Sequence, residues 1–210
     1  MKASAIPVLL VLSITGGSNV AAQRSLELGP AVGIYFPLSS FAGPVTSTAT
    51  YPLTGLGTWT QQNAPALGVV GSLWLNRHLG LRGTYQSVSS GVSQVIPDAV
   101  AVASAGSVHL LTLEAQARVH AAARLPHVSV SGGLARIWRR GDAFRSFGSP
   151  NTLGAVFGLG ADFPLKAGLG FGCRASVLLY RFSLHDPTTK YTPSTQADFL
   201  GQALVTYHLF

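Results

Sequence analysis

Apolar residues recur along this chain with a period of two, the spacing of a strand whose two faces meet different surroundings. Over residues 26–36 the even positions Leu26, Leu28, Pro30, Val32, Ile34 and Phe36 make one wholly apolar face. The odd positions Glu27, Gly29, Ala31, Gly33 and Tyr35 make a small or polar one. The same alternation predicts strands over 79–86, 107–119, 127–138, 153–163, 168–181 and 197–209. The clearest is 107–119, where His109, Leu111, Leu113, Ala115, Ala117 and Val119 oppose Thr112, Glu114, Gln116 and Arg118. Residues 66–75 also read as a strand, although both of its faces are apolar. Gly132-Gly133 inside the fifth strand predicts a bulge.

The connections fall into two kinds. Residues 76–78, 120–126 and 164–167 are short links, and the segments between them are long and rich in Ser, Thr, Gly and Pro. Short turns on one side and long loops on the other is the arrangement of a membrane-spanning β-barrel. A soluble sandwich has no reason to sort its loops this way. Eight strands is an even number, as closure of an antiparallel barrel with both ends on one side requires.

Composition narrows the surroundings. Charged residues make up 10% of the 210 and mean hydropathy is +0.35, against about 25% charged in an ordinary soluble domain. Past the N-terminus there is no apolar run long enough for a spanning helix. Residues 1–22 carry Lys2, the apolar stretch "AIPVLLVLSI" and the small residues "NVAA", the three parts of a secretory signal peptide. Cleavage is expected after Ala22, leaving 23–210 as one barrel domain. Cys173 is the single cysteine and forms no internal disulfide. The excess of basic residues in an exported chain points to anionic lipid headgroups, not to nucleic acid.

Charged residues fall on the face opposite the apolar one. Glu27, Glu114 and Asp162 share the expected interior with Arg82, Arg118 and Arg174, a balanced set. An interior this narrow fills with side chains, and unpaired buried charge is costly. These residues therefore read as a paired plug, and a polar pore is the lesser reading. Aromatics at strand ends are expected to face outward at the two membrane interfaces. On the loop side these are Tyr35, Phe36, Tyr85, Trp138, Tyr180 and Phe182; on the turn side, Trp74, Phe163, Tyr207 and Phe210.

With its signal peptide, eight amphipathic strands, alternating short turns and long loops, the stretch "AVGIYFPLSSFAG" and an aromatic end, the chain resembles the OmpA/OmpX-type outer membrane β-barrel superfamily. The resemblance covers about residues 24–210 and rests on pattern. It implies residence in the outer membrane of a Gram-negative-type bacterium after Sec-type export. It also implies periplasmic chaperones and the outer membrane assembly machinery as partners, with Tyr207, Leu209 and Phe210 as the assembly signal. Phe210 stands one residue out of phase with Val205, Tyr207 and Leu209.

Candidate chemistry is sparse. Lipid A deacylases and palmitoyltransferases share this architecture, and His127, Ser129 and Asp142 invite a nucleophile reading. His127 lies at the turn end of its strand and Ser129 points inward, so geometry opposes it. His109 with Ser107 and His185-Asp186 reads as an interface histidine. The stretch "RIWRRGDAFR" gathers Arg136, Arg139, Arg140 and Arg145 at the outer end of the fifth strand. Arginine forks suit phosphate, so contact with lipopolysaccharide is expected there. The Arg140-Gly141-Asp142 triplet is too short to read. No metal-ligand spacing and no phosphate-binding glycine loop occurs, so no cofactor is implied. The expectation is an all-β, closed antiparallel up-and-down barrel, not an enzyme, with a structural or surface-interaction role carried by its loops. A small channel or transporter comes second, an enzyme acting on outer-leaflet lipid third and a soluble lipocalin-like barrel fourth.

Overall fold

A computed structural model describes residues 25–39, 41–44, 56–95, 102–119, 126–144, 151–182 and 194–209. The described strands are β1 Ser25–Pro37, β2 Phe41–Pro44, β3 Leu56–Gln61, β4 Ala64–Trp74, β5 Leu79–Val88 and β6 Val92–Val95. They continue with β7 Val102–Ser104, β8 Ser107–Val119, β9 His127–Arg140, β10 Asn151–Pro164, β11 Leu169–Phe182 and β12 Ser194–His208. A short 3-10 turn, Asp142–Phe144, follows β9. The signal segment 1–22, Arg145, His185-Asp186 and Phe210 lie outside the described residues.

Eight strands close into a barrel in the order β1-β12-β11-β10-β9-β8-β5-β4. Closure is made by β1, which pairs antiparallel with β12 on one side and with β4 on the other. No edge is left on the barrel to recruit another chain. The alternation located these strands closely, and for residues 107–119 it gave the bounds of β8. Apolar side chains stand outward in quantity: Leu113 is 62% exposed, Leu134 69% and Leu153 76%. An apolar belt this continuous is unlike the surface of a soluble monomer.

The twofold apolar segment settles as β4. Leu67 and Val69 face out, while Ala64, Ala66, Val70, Ser72 and Trp74 are buried inside. The inward row reads as apolar because Ala64 and Ala66 join the loop-side apolar cluster, while at the turn end the Trp74 ring packs against the Arg118 guanidinium. Nor is there a bulge at Gly132-Gly133, since the pairing of β9 runs unbroken through both residues to β8 and β10. Gly133 is small for another reason: a Cβ there would fall 2.0 Å from the Leu113 carbonyl oxygen. The two backbones come too close for any side chain.

The first two long loops are not irregular throughout. Their strands form a second sheet in the order β2-β3-β6-β7, in which β3 pairs antiparallel with β6. Since β3 runs nearly straight into β4, and β5 into β6, this sheet prolongs one wall beyond the barrel mouth. At the junction Ser90 donates to the Gln62 carbonyl at 2.6 Å.

Candidate functional site

The interior is organised in levels along the barrel. Nearest the turns, Arg118 lies 3.7 Å from Glu27 and 3.8 Å from Asp162, with its guanidinium 3.7 Å from the centre of the Trp74 ring. His208 approaches the same Glu27 at 3.4 Å. One level up, Arg174 donates to Glu114 at 2.6 Å, and Thr112 and Ser131 donate to the same carboxylate. Arg82 is the cross-strand neighbour of Glu114. The six charged positions expected inside are all inside, and Glu114 and Arg174 are almost wholly buried. Gly158 makes room for this level, because a Cβ there would stand 2.6 Å from an Arg174 nitrogen.

Toward the loops the filling turns apolar. Val88, Val108, Leu110, Ile137, Val156, Leu178 and Leu200 pack together in one buried cluster. Between this cluster and the Glu114 level remains a cavity of about 10 Å³, lined by Gln86, Thr112, Ser176 and Gln202 among others. That is room for roughly one water. Phe144 is buried at the loop end beside Gly106, where a Cβ would come within 2.5 Å of its ring.

At this upper end lies a polar cluster that the sequence reading did not anticipate. Tyr35 and Tyr180 both donate to Asp198 Oδ2, the latter at 2.8 Å, and Arg139 donates to the Tyr180 oxygen at 2.6 Å. Strands β1, β9, β11 and β12 are thereby tied together. Four expectations are corrected here. Tyr35 and Tyr180 are not interface aromatics, and neither is Trp74: each is at most 3% exposed and points inward. Arg139 is not a surface arginine; two residues from Ile137 on the same inward row of β9, it is 3% exposed. Asp198 shares an inward row with Gln196 and Gln202, so its phase was the available signal. Among the described residues the interior then holds Glu27, Glu114, Asp162 and Asp198 against Arg82, Arg118, Arg139 and Arg174. The balance found in sequence persists with one more of each sign.

Of the arginine group, Arg136 and Arg140 face outward and are exposed. Tyr207 and Leu209 also face outward, and the Leu209 amide donates to the Leu26 carbonyl at 2.9 Å. The His127, Ser129 and Asp142 set is not assembled: Ser129 is buried inside β9, and Asp142 lies past the opposite end of that strand. Among the described residues no group of His, Cys, Asp and Glu is placed to hold a metal ion.

No protein-family model matches the chain. No curated protein matches it either. Solved structures do. The chain is similar to the outer membrane protein OprG from Pseudomonas aeruginosa, at a TM-score of 0.61 and 13% identity, over 88% of this chain and 94% of that one. It is similar also to the outer membrane protein AlkL determined in lipid bilayers, at a TM-score of 0.51 and 12% identity, over 93% and 94%. At such identities the likeness concerns the fold: an eight-stranded barrel of the outer membrane type.

Proposed function

We propose that this chain is an integral outer membrane protein whose filled barrel anchors a surface-exposed sheet and loops, with an interaction role and no catalytic one. The observation that carries the reading is the pairing of two faces on one closed wall. Outside is a continuous apolar belt; inside are matched charges and packed hydrocarbon. A soluble barrel would invert this order, and a conducting one would open the level at which Glu114 and Arg174 are here almost wholly buried. The likeness to OprG and AlkL supports the same placement. Export by residues 1–22, and assembly through a last strand whose outward row includes Tyr207 and Leu209, complete the proposal. At the belt's loop-side edge Arg136 and Arg140 meet lipopolysaccharide phosphates.

The test is expression of the full chain in a Gram-negative host, followed by fractionation and gel migration with and without boiling. The expected result is an outer membrane band that runs faster unboiled, as a compact barrel does. A soluble protein, or one whose mobility ignores heating, would remove the proposal.

A further inference from the structure

The outer wall changes character at one place on its loop-side rim. Along β8 the outward row is apolar up to Leu111 and turns polar at His109 and Ser107; along β9 it is apolar up to Leu134 and turns at Arg136. Above that line three aromatic rings from three neighbouring strands stand together. Tyr85 and His109 are 6.2 Å apart with planes 13° from parallel, and His109 and Trp138 are 5.8 Å apart at 21°. The imidazole is held from both sides, with Nδ1 3.0 Å from the Tyr85 hydroxyl and Nε2 3.3 Å from that of Ser107. Arg136 and Arg140 flank Trp138 on the same outward row, and the Arg136 guanidinium lies 5.7 Å from the Trp138 ring.

We propose that this patch of β5, β8 and β9 is a binding site for the phosphorylated saccharide headgroup of an outer-leaflet glycolipid. The inference rests on the membrane placement proposed above and gives its arginines a specific ligand. Each part has a chemical reason. The C–H-rich face of a sugar ring carries the partial positive charge that an aromatic face attracts. Guanidinium forks take phosphate oxygens in pairs. Four residues along an antiparallel strand span roughly 14 Å, so Arg136 and Arg140 can serve the two ends of a disaccharide phosphorylated at both. The belt below, Leu111 and Leu134 included, is where the acyl chains of such a lipid lie. The outward residue above the belt is Asn151 on β10 and Thr195 on β12, and β11 carries Arg181 there without a second arginine on its outward row.

The experiment uses the full protein in phosphatidylcholine nanodiscs, with native mass spectrometry counting retained lipid. Three probes are compared: a diphosphorylated glucosamine disaccharide lipid, its dephosphorylated form and phosphatidylglycerol. The expected result is preferential retention of the first. Arg136→Ala with Arg140→Ala should lower its apparent affinity about tenfold or more. Trp138→Ala with His109→Ala should abolish the preference over phosphatidylglycerol while leaving phosphatidylglycerol retention unchanged. Equal retention of the glycolipid and phosphatidylglycerol by the unaltered protein would overturn the site, as would variants that bind like it. Heat-dependent gel migration of each variant reports folding separately. A protein that fails to insert at all refutes the membrane placement, whereas one that inserts without preference refutes only this site.

Discussion

Toward the turns the barrel interior is held by ions: Arg118 with Glu27 and Asp162, and Arg174 with Glu114. Toward the loops it is held by hydrocarbon, with Val108, Leu110, Ile137, Leu178 and Leu200 in contact beneath the Asp198 cluster. The difference bears on how a strand finds its register. A slip of one residue exchanges the two faces of a strand. In the ionic half that would deliver Arg174 or Glu114 to lipid, at about 2–4 kcal/mol for an arginine at the bilayer midplane. At the level of the apolar cluster it would trade Leu110 for Leu111, or Leu178 for Leu179, at little cost; only the Arg139 and Asp198 level above would resist it again. The ionic half therefore specifies pairing, and the apolar half contributes cohesion.

The largest effect should come from breaking a pair. Arg174→Met leaves the buried Glu114 carboxylate without its 2.6 Å ion-pair partner and with only Arg82 across the strand, at a cost of about 3–5 kcal/mol. Urea unfolding of the protein in lipid vesicles would measure it; a loss under about 1 kcal/mol would mean that water reaches this level and that the ionic half is not dry. Leu178→Ala tests the other half, with an expected cost of about 2–5 kcal/mol from lost burial and the cavity left behind. If Leu178→Ala proves neutral, the loop-side filling is loose and the contrast between the halves disappears. Asp198→Asn should cost less, about 1–3 kcal/mol, because Tyr35 and Tyr180 keep a neutral acceptor. The same unfolding assay reads it, and a larger loss than for Arg174→Met would move the ionic centre of the barrel to its upper end.

Most of the barrel is legible in the sequence because period two is a two-valued code and one of its values here is lipid. Where much of the inward row is polar or small, as with Thr112, Glu114, Gln116 and Arg118 in β8 and Gly172, Arg174 and Ser176 in β11, the strand and its orientation follow directly. In β4 the code fails physically, since the inward row meets the apolar cluster through Ala64 and Ala66 and meets the Arg118 cation with the ring of Trp74. Tyr35, Tyr180, Trp74 and Arg139 fail differently. Their phase marks them as inward, alongside Glu27, Arg174, Ser72 and Ser131, but nearness to strand ends suggests the interface. Phase is the better guide, because a strand cannot turn a single side chain to the other face. The β2-β3-β6-β7 sheet has no comparable signal. It joins two loops distant in sequence, and strand propensity in short segments depends on the neighbours they find. The saccharide site is half visible: "RIWRR" shows the arginines, but His109 and Tyr85 join Trp138 only through the β5-β8-β9 register.

The smallest expected effect is the most discriminating. Arg174→Met combined with Glu114→Leu removes both members of the buried pair and replaces them with apolar groups of similar length. Apolar replacement of a buried pair is often neutral or even stabilising, so the double variant should unfold within about 1 kcal/mol of the unaltered protein. That would recover most of what Arg174→Met alone loses. Thr112 and Ser131 then lose an acceptor, which works against full recovery. If stability returns while register is what the charges provide, the double variant should refold more slowly or leave a larger misfolded fraction, read as the share of protein whose gel mobility ignores heating. If it is stable and also refolds as cleanly as before, the pair carries no register information. The turn-side half would then differ from the loop-side half in composition alone.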